Sequence, residues 1–441
     1  MGNAIAQVVM IAWIPAVLVL FVTLPARRAV VWAILLGWLM LPMTGYPLPG
    51  LPDYTKMSAT CMGILLGSLL FDPDTMLRLK PRWVDLPFVV FCLSPFVSSV
   101  TNGLGPYDGM SATISQIVTW GLPYLIGRAY FSSTEGMKEL ARGLVIGGLI
   151  YVPLCLYEIR MSPQLHTMVY GFHQHSFGQT FRMGGWRPVV FMQHGLMVGM
   201  WMCMSALLAL WFWRSGAIKQ MAGFPMGWLA AFMTVTAILC KSTGAWILMA
   251  LGMMLLLFKQ PMLRVLLLAA IVLGPALYYG VRYPRIVSGG AVVAWADPFF
   301  SDQRIGSLST RMTNEDQLSE HAMRRPLFGW GGWGRNRVRS EDGRDITITD
   351  GLWIIIAGTN GLMSLGAFTL AFSYPGWVLL RRVRSQLWEL DWVPYFAGLT
   401  VVVLLYQVDC ILNAMVNPVY TLVLGSLIGV STLIPKPGRR A

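Results

Sequence analysis

The chain has 441 residues, 56% of them hydrophobic and only 12% charged, with 18 Trp and 28 Met. A soluble domain carries about 25% charged residues, so these figures exclude an ordinary soluble enzyme and a disordered chain. The net charge is +13. In so apolar a chain that excess belongs to loops on one side of a membrane and implies no nucleic-acid partner.

Apolar runs of bilayer-spanning length fall at about 4–24, 29–43, 57–71, 84–101, 111–127, 141–159, 188–213, 226–240, 244–258, 263–283, 350–373, 392–411 and 418–434. They predict an all-α, polytopic integral membrane protein with about 12–13 transmembrane helices. A membrane β-barrel would show short alternating segments instead. The first run, MGNAIAQVVMIAW, lacks a basic n-region and reads as a retained helix. Short connections carry Arg27/Arg28, Arg78/Lys80/Arg82, Arg128/Lys138/Arg142, Arg214/Lys219, Lys259/Arg264, Arg381/Arg382/Arg384 and Lys436/Arg439/Arg440, eighteen of the 33 basic residues. Strict alternation puts all eighteen on one face. By the positive-inside rule that face is the cytoplasm, with the N-terminus outside and the C-terminus inside.

Two long segments then face outward, dividing the chain into five parts. These are N-terminal transmembrane helices (1–159), a first outward loop (160–187), central transmembrane helices (188–283), a large outward loop (284–349), and C-terminal transmembrane helices with a basic tail (350–441). The large loop is rich in arginine and contains no lysine. Arginine offers a fixed, planar, always-charged fork suited to phosphate or carboxylate. The plainer reading is a salt-bridged loop, since Asp and Glu nearly balance the charge.

The most distinctive stretch runs from Ser309-Thr310-Arg311 through His321 to Arg325-Pro326-Leu327-Phe328-Gly329-Trp330-Gly331-Gly332-Trp333-Gly334. A helix over 309–324 ends at Pro326, and the glycines form a loop that permits tight turns and close ligand approach. No strand precedes them, so this is no dinucleotide fingerprint. Trp330 and Trp333 offer a platform for a sugar ring or an anchor at the membrane interface. His173-Gln174-His175 has no carboxylate or Cys nearby, and the six Cys lack metal-ligand spacing. No metal, disulfide framework or cofactor is expected. His194 lies near Arg187 at the start of a span, where a polar side chain needs a partner. Asp409 is a carboxylate inside a span and Lys241 lies near a span's outer end. A structural ion pair or a proton relay would account for such charges.

These segments together resemble the bacterial O-antigen ligase and O-antigen polymerase superfamily over roughly residues 182–372. The resemblance rests on Arg311, Pro326-Leu327-Phe328-Gly329-Trp330-Gly331, Asp350-Gly351-Leu352-Trp353 and Asn360-Gly361-Leu362-Met363-Ser364-Leu365-Gly366. Upstream, Arg187-Pro188 to His194-Gly195 is similar to the family's start of a central helix, and Lys241-Ser242-Thr243-Gly244-Ala245 to its helix junction. The resemblance implies a metal-independent, inverting glycosyltransferase acting on a polyprenyl-diphosphate-linked glycan at the outer side of the bacterial inner membrane. It implies Arg187, Arg311 and Arg325 on the diphosphate, and membrane lipid and other polysaccharide assembly and export proteins as partners.

Family ligases usually carry a His, often in "H-N", where this chain has Thr349-Asp350. Asp350 is then the candidate base, with His321 and His194 as alternatives. An ordinary aspartate, of pKa about 3.9, is a poor base at neutral pH, and a plain N-cap role is open to Asp350. The departure favours a polymerase over a ligase. A transporter for lipid-linked glycan or another anion, and a structural subunit of an export complex, are the competing readings.

Overall fold

Each of the thirteen apolar runs contains helix in the computed structural model, although residues 188–194 of the seventh run are not helical. The structure describes all residues except 1, 49–50, 259, 333, 384–386, 388–389 and 436–441, and omits the side chains of 51 and 303. Trp333, Lys259, Arg384 and the tail cations Lys436, Arg439 and Arg440 therefore lie outside the described residues. The first half comprises α1 (Ala4–Thr23), α2 (Ala26–Met40), α3 (Lys56–Phe71), the short α4 (Pro73–Leu77), α5 (Leu86–Thr101), α6 (Pro106–Gln116), α7 (Leu122–Tyr130), α8 (Thr134–Met161) and the short α9 (Leu165–Tyr170). The second half comprises α10 (Gly195–Arg214), α11 (Met226–Leu239), α12 (Thr243–Leu257), α13 (Pro261–Arg282), α14 (Gly289–Ala296), α15 (Asp302–Met323), α16 (Leu352–Arg382), α17 (Val393–Leu412) and α18 (Pro418–Ser431). Among the described residues the sheet is limited to three two-stranded ribbons.

Among the described residues, seven helices are long and apolar enough to cross a membrane. Four more apolar helices, α3, α11, α12 and α18, have only 14–16 residues. At 1.5 Å per residue they reach about 21–24 Å, short of the roughly 30 Å hydrocarbon thickness. The full-length helices are thus fewer than the 12–13 expected from the apolar runs. The most deeply buried of the long helices is α10, flanked by α11, α12, α8 and α17. By contrast α1 and α13 turn apolar side chains outward, among them Ile5, Val8, Ile11, Val19 and Val22 on α1 and Val265, Leu266, Leu273 and Leu277 on α13. Apolar patches of that extent mark a surface that meets lipid or protein rather than water.

The Gly-rich segment has a specific structural duty. Helix α16 is broken at Gly361, whose φ of +76° leaves the helical region. A break strands carbonyls before it and N–H groups after it, and at bilayer depth each stranded group costs several kcal/mol. The segment supplies both kinds of partner. The N–H of Trp330 donates to Gly358 O at 2.8 Å and that of Gly331 to Thr359 O at 2.9 Å. In return, the N–H groups of Leu362 and Met363 donate to Pro326 O and Leu327 O at 2.8 and 3.3 Å. From α5, Ser98 Oγ reaches the carbonyls of Phe328 and Thr359, and Asn102 Nδ2 donates to Gly329 O at 2.8 Å. The close approach these glycines permit is to the chain's own helix: a Cβ on Gly329 would lie 2.5 Å from the carbonyl carbon of Thr359.

Candidate anion site at the arginine-rich end

The loop that carries Arg187 is fixed by a buried carboxylate. Glu158, near the end of α8, accepts backbone N–H bonds from Leu165 (3.0 Å), Val189 (2.7 Å) and Val190 (2.7 Å). Val190 sits at φ +51°, a left-handed conformation costly for a β-branched residue. The Glu158 bonds hold it there, and with it the direction of Arg187. Arg187 is a buried residue, 8% exposed, and its guanidinium donates from Nη2 to Lys241 O at 3.1 Å. Its Nε is buried without a hydrogen-bond partner among the described residues, as is the Nε of Arg182. Gly195 leaves room for the Arg187 stem, since a Cβ there would lie 2.3 Å from Cδ. Lys241 forms the joint between α11 and α12 at φ +51°, and its Nζ donates to Met183 O at 3.3 Å.

Arg311 comes from the other direction, on α15. Its Nη1 donates to Leu412 O at 2.8 Å and to Asn413 Oδ1 at 3.4 Å. Asn413 Nδ2 in turn donates to Asp409 at 2.7 Å, so Asp409 reaches Arg311 through an amide. The Arg311 Nε is 3.8 Å from the Asp350 carboxylate. Asp350 is not the helix cap: Gly351 holds that position, and no side chain caps α16. The carboxylate stands half-exposed beside Arg311, above a shallow cleft also lined by Glu315, Ile348 and Ile411.

What fixes α15 is a buried ion-pair cluster. Arg282, at the end of α13, meets Glu315 and Asp316 at 2.8 Å each, and the Tyr278 hydroxyl donates to Glu315 at 2.9 Å. Removing one member of a buried pair strands the other and costs about 3–5 kcal/mol. Arg282→Ala is therefore expected to lower thermal stability strongly and to loosen α15. Arg282→Ala with Glu315→Met should recover much of the loss in a thermal melt of the purified protein.

The electrostatics single out this end of the bundle. Burial, and then the like charges of Arg182, Arg304 and Arg311, push the Arg187 guanidinium down to about 10. His194 is pushed down to about 4 by burial, then by His175, Arg187, Arg182 and Arg311. Its Nδ1 accepts from Leu196 N–H at 3.0 Å as the cap of α10, and its Nε2 donates to Gln179 Oε1 at 3.1 Å. Both ring nitrogens are thus engaged, and no lone pair is left to take a proton from a substrate. His166 is held the same way, by Met43 N–H and Phe172 O, and burial pushes it to about 4. Both stay neutral in the fold while the unfolded chain protonates near pH 6.5. Stability is then full above about pH 6.5 and falls as pH drops toward 4, by up to roughly 3 kcal/mol per histidine. A pH series of thermal melts checks this, and His194→Gln should flatten the slope.

The sequence candidates form two groups. At one end lie Arg187, Lys241 and His194 together with Arg311, Asp350 and Asp409, the two sets related by the charge of Arg311 acting on Arg187 and His194. His321 lies ten residues beyond Arg311 on the same helix, about 15 Å along its axis. It stacks flat on Trp330 at 4.3 Å and 5°, its Nε2 donates to Arg335 O, and Trp330 Nε1 donates to His321 O. The Arg325 guanidinium lies 5.3 Å from the Trp330 ring centre. Trp330 thus spends one face and its N–H on α15. Arg182, Arg304, Glu158 and Asn413 were not among the sequence candidates, and His175 stood out only as part of His173-Gln174-His175. A signal existed for Arg304, which is seven residues before Arg311 and so two turns away on one helix face. None existed for Glu158, whose partners are backbone groups.

Four arginines, of which Arg311 has Asp350 as its carboxylate neighbour at 3.8 Å, with guanidinium nitrogens of Arg182 and Arg187 buried without partners among the described residues, can hold a ligand bearing several anionic oxygens. Among the described residues no group of three or more His, Cys, Asp or Glu side chains could hold a metal ion. No family model and no curated protein matches the chain.

Proposed function

We propose that this chain is a multi-pass membrane glycosyltransferase that uses a polyprenyl-diphosphate-linked glycan, acting as a polysaccharide polymerase. The observation that carries the reading is Arg187, buried with an unpartnered Nε among Arg182, Arg304 and Arg311. A diphosphate supplies the charge those groups lack. It is also the leaving group, so the same arginines stabilise the charge that develops as the anomeric C–O bond breaks. The acceptor sugar hydroxyl attacks the anomeric carbon from the opposite side and inverts it. Its proton passes to Asp350, the carboxylate beside Arg311. The arginine-rich end then faces outward from the bacterial inner membrane, with the N-terminus outside and the C-terminus cytoplasmic. Proteins of polysaccharide assembly and export are the proposed partners. Ligation of a finished glycan to a lipid acceptor is the alternative reaction at the same site.

Deleting the gene and measuring surface-glycan length tests the proposal. Single repeat units without long chains support a polymerase, and full-length lipid-linked chains left untransferred support a ligase. Normal surface glycan would overturn both. Asp350→Asn is expected to lower transfer by about 10²–10⁴-fold if the carboxylate is the base, and Asp350→His to keep part of the activity. A fully active Asn variant, measured with the purified protein, would mean that diphosphate departure needs no base.

A further inference from the structure

At the end of the bundle opposite the arginine site lies an open cavity of about 740 Å³ between the starts of α2 and α4 and the ends of α7 and α18. Six basic side chains line it, Arg27, Arg28, Arg78, Lys80, Arg82 and Arg128, against two carboxylates, Asp72 and Glu139. Three of the six are committed. Arg28 pairs with Glu139 at 3.2 Å and Arg78 with Asp74 at 2.9 Å. Arg128, at the floor, is buried and holds Asp85 through two bonds of 2.7 and 3.1 Å. Asp72 accepts from Thr75 at 2.9 Å. Arg27, Lys80 and Arg82 have no carboxylate partner among the described residues.

The rim tells what surrounds these cations. Trp83, next to Arg82, is 87% exposed, and Leu77, next to Arg78, is 78% exposed. Phe71 and Leu433 are exposed beside them. An exposed Trp and exposed apolar side chains next in the chain to the residues lining a basic cavity are the composition of the membrane–water interface, where rings and cations meet headgroups. Basic pockets between helices at that level hold phosphate-bearing headgroups. The floor is rigid: Arg128 Nη1 donates to Ser132 Oγ at 2.9 Å, and a Cβ on Gly429 would lie 2.0 Å from that oxygen.

We propose that this cavity binds the phosphate headgroup of an anionic membrane lipid, held by Arg27, Lys80 and Arg82 with Arg128 beneath. The inference rests on the membrane reading of the chain and not on glycan transfer. The full chain, purified in detergent, is melted with phosphatidylglycerol or with phosphatidylcholine. Phosphatidylglycerol is expected to raise the midpoint by about 3–5 °C at a hundredfold excess over its Kd, and phosphatidylcholine to leave it unchanged. R27Q/K80Q/R82Q should lose most of that shift, whereas R214Q/K219Q should keep it. Should the triple variant fail to fold, K80Q alone serves, with bound phosphatidylglycerol counted by native mass spectrometry. Equal shifts in wild type and variant, or none in wild type, overturn the proposal. Inorganic pyrophosphate is the second arm. If it stabilises wild type and not the triple variant while the lipid does nothing, the site takes a soluble phosphate and the lipid assignment falls.

Discussion

Arg187→Ala is expected to abolish measurable glycan transfer while leaving the protein as stable as before, or more so. The first half follows from charge: removing one preorganised donor from a developing oxyanion costs about 10²–10³-fold in rate. The second follows from burial. Arg187 carries a desolvated guanidinium with an unpartnered Nε, among other arginines that repel it. Such a group lowers stability until its anion arrives, and its removal relieves that strain. Arg187→Lys should rescue little, because the ammonium keeps the charge and loses the fork. Transfer assays on the purified protein and thermal melts of the same samples decide the matter. Wild-type transfer by the Lys variant would remove bidentate phosphate binding, and a large drop in melting midpoint in the Ala variant would make Arg187 a structural residue.

The largest expected effect on folding comes from Gly361→Ala. A backbone at φ +76° and ψ −178° is all but closed to an L-residue and costs it about 1–3 kcal/mol. The new Cβ would also stand 2.2 Å from Leu327 O, a backbone atom that cannot swing away. Moving it breaks the bonds from Leu362 and Met363 and leaves both halves of α16 with stranded groups. A loss of about 3 kcal/mol or more is expected, read as poor yield and a lowered midpoint. Gly366→Ala is the control: it lies one turn beyond in the same helix with nothing within 4 Å of its Cβ position, and it should be silent or slightly stabilising.

Helix positions were legible because apolar runs of this length leave no other structure to form. The helix lengths were less so. Lys241 and Ser242 end α11 and start α12 through a left-handed joint, which hydropathy does not register. Arg187 and Arg311 were readable as cations at span ends, and the structure puts Arg187 in the field of Arg182, Arg304 and Arg311. Asp350 read as a possible cap, yet the chain turns one residue later, at Gly351, because a Cβ there would lie 2.3 Å from Ile411 O. The glycines after Pro326 read as a ligand loop because a single sequence shows where glycine is needed but not what comes close to it. Trp330 was visible as an aromatic near the membrane surface, while its stacking on His321 depends on where α15 ends.

The seam between the Gly-rich segment and α16 also constrains the order of assembly. Residues 326–331 leave the ribosome before α16 exists, so their N–H and C=O groups must wait for it. The segment also meets Ser98 and Asn102 of α5, more than 200 residues upstream. The break in α16 therefore closes only when three distant stretches of chain meet, a slow, non-local step of high contact order. Until then the second half of α16 lacks a template for its first turn. The seam makes the C-terminal helices depend on the N-terminal ones, and ties completion of the arginine site to completion of the bundle.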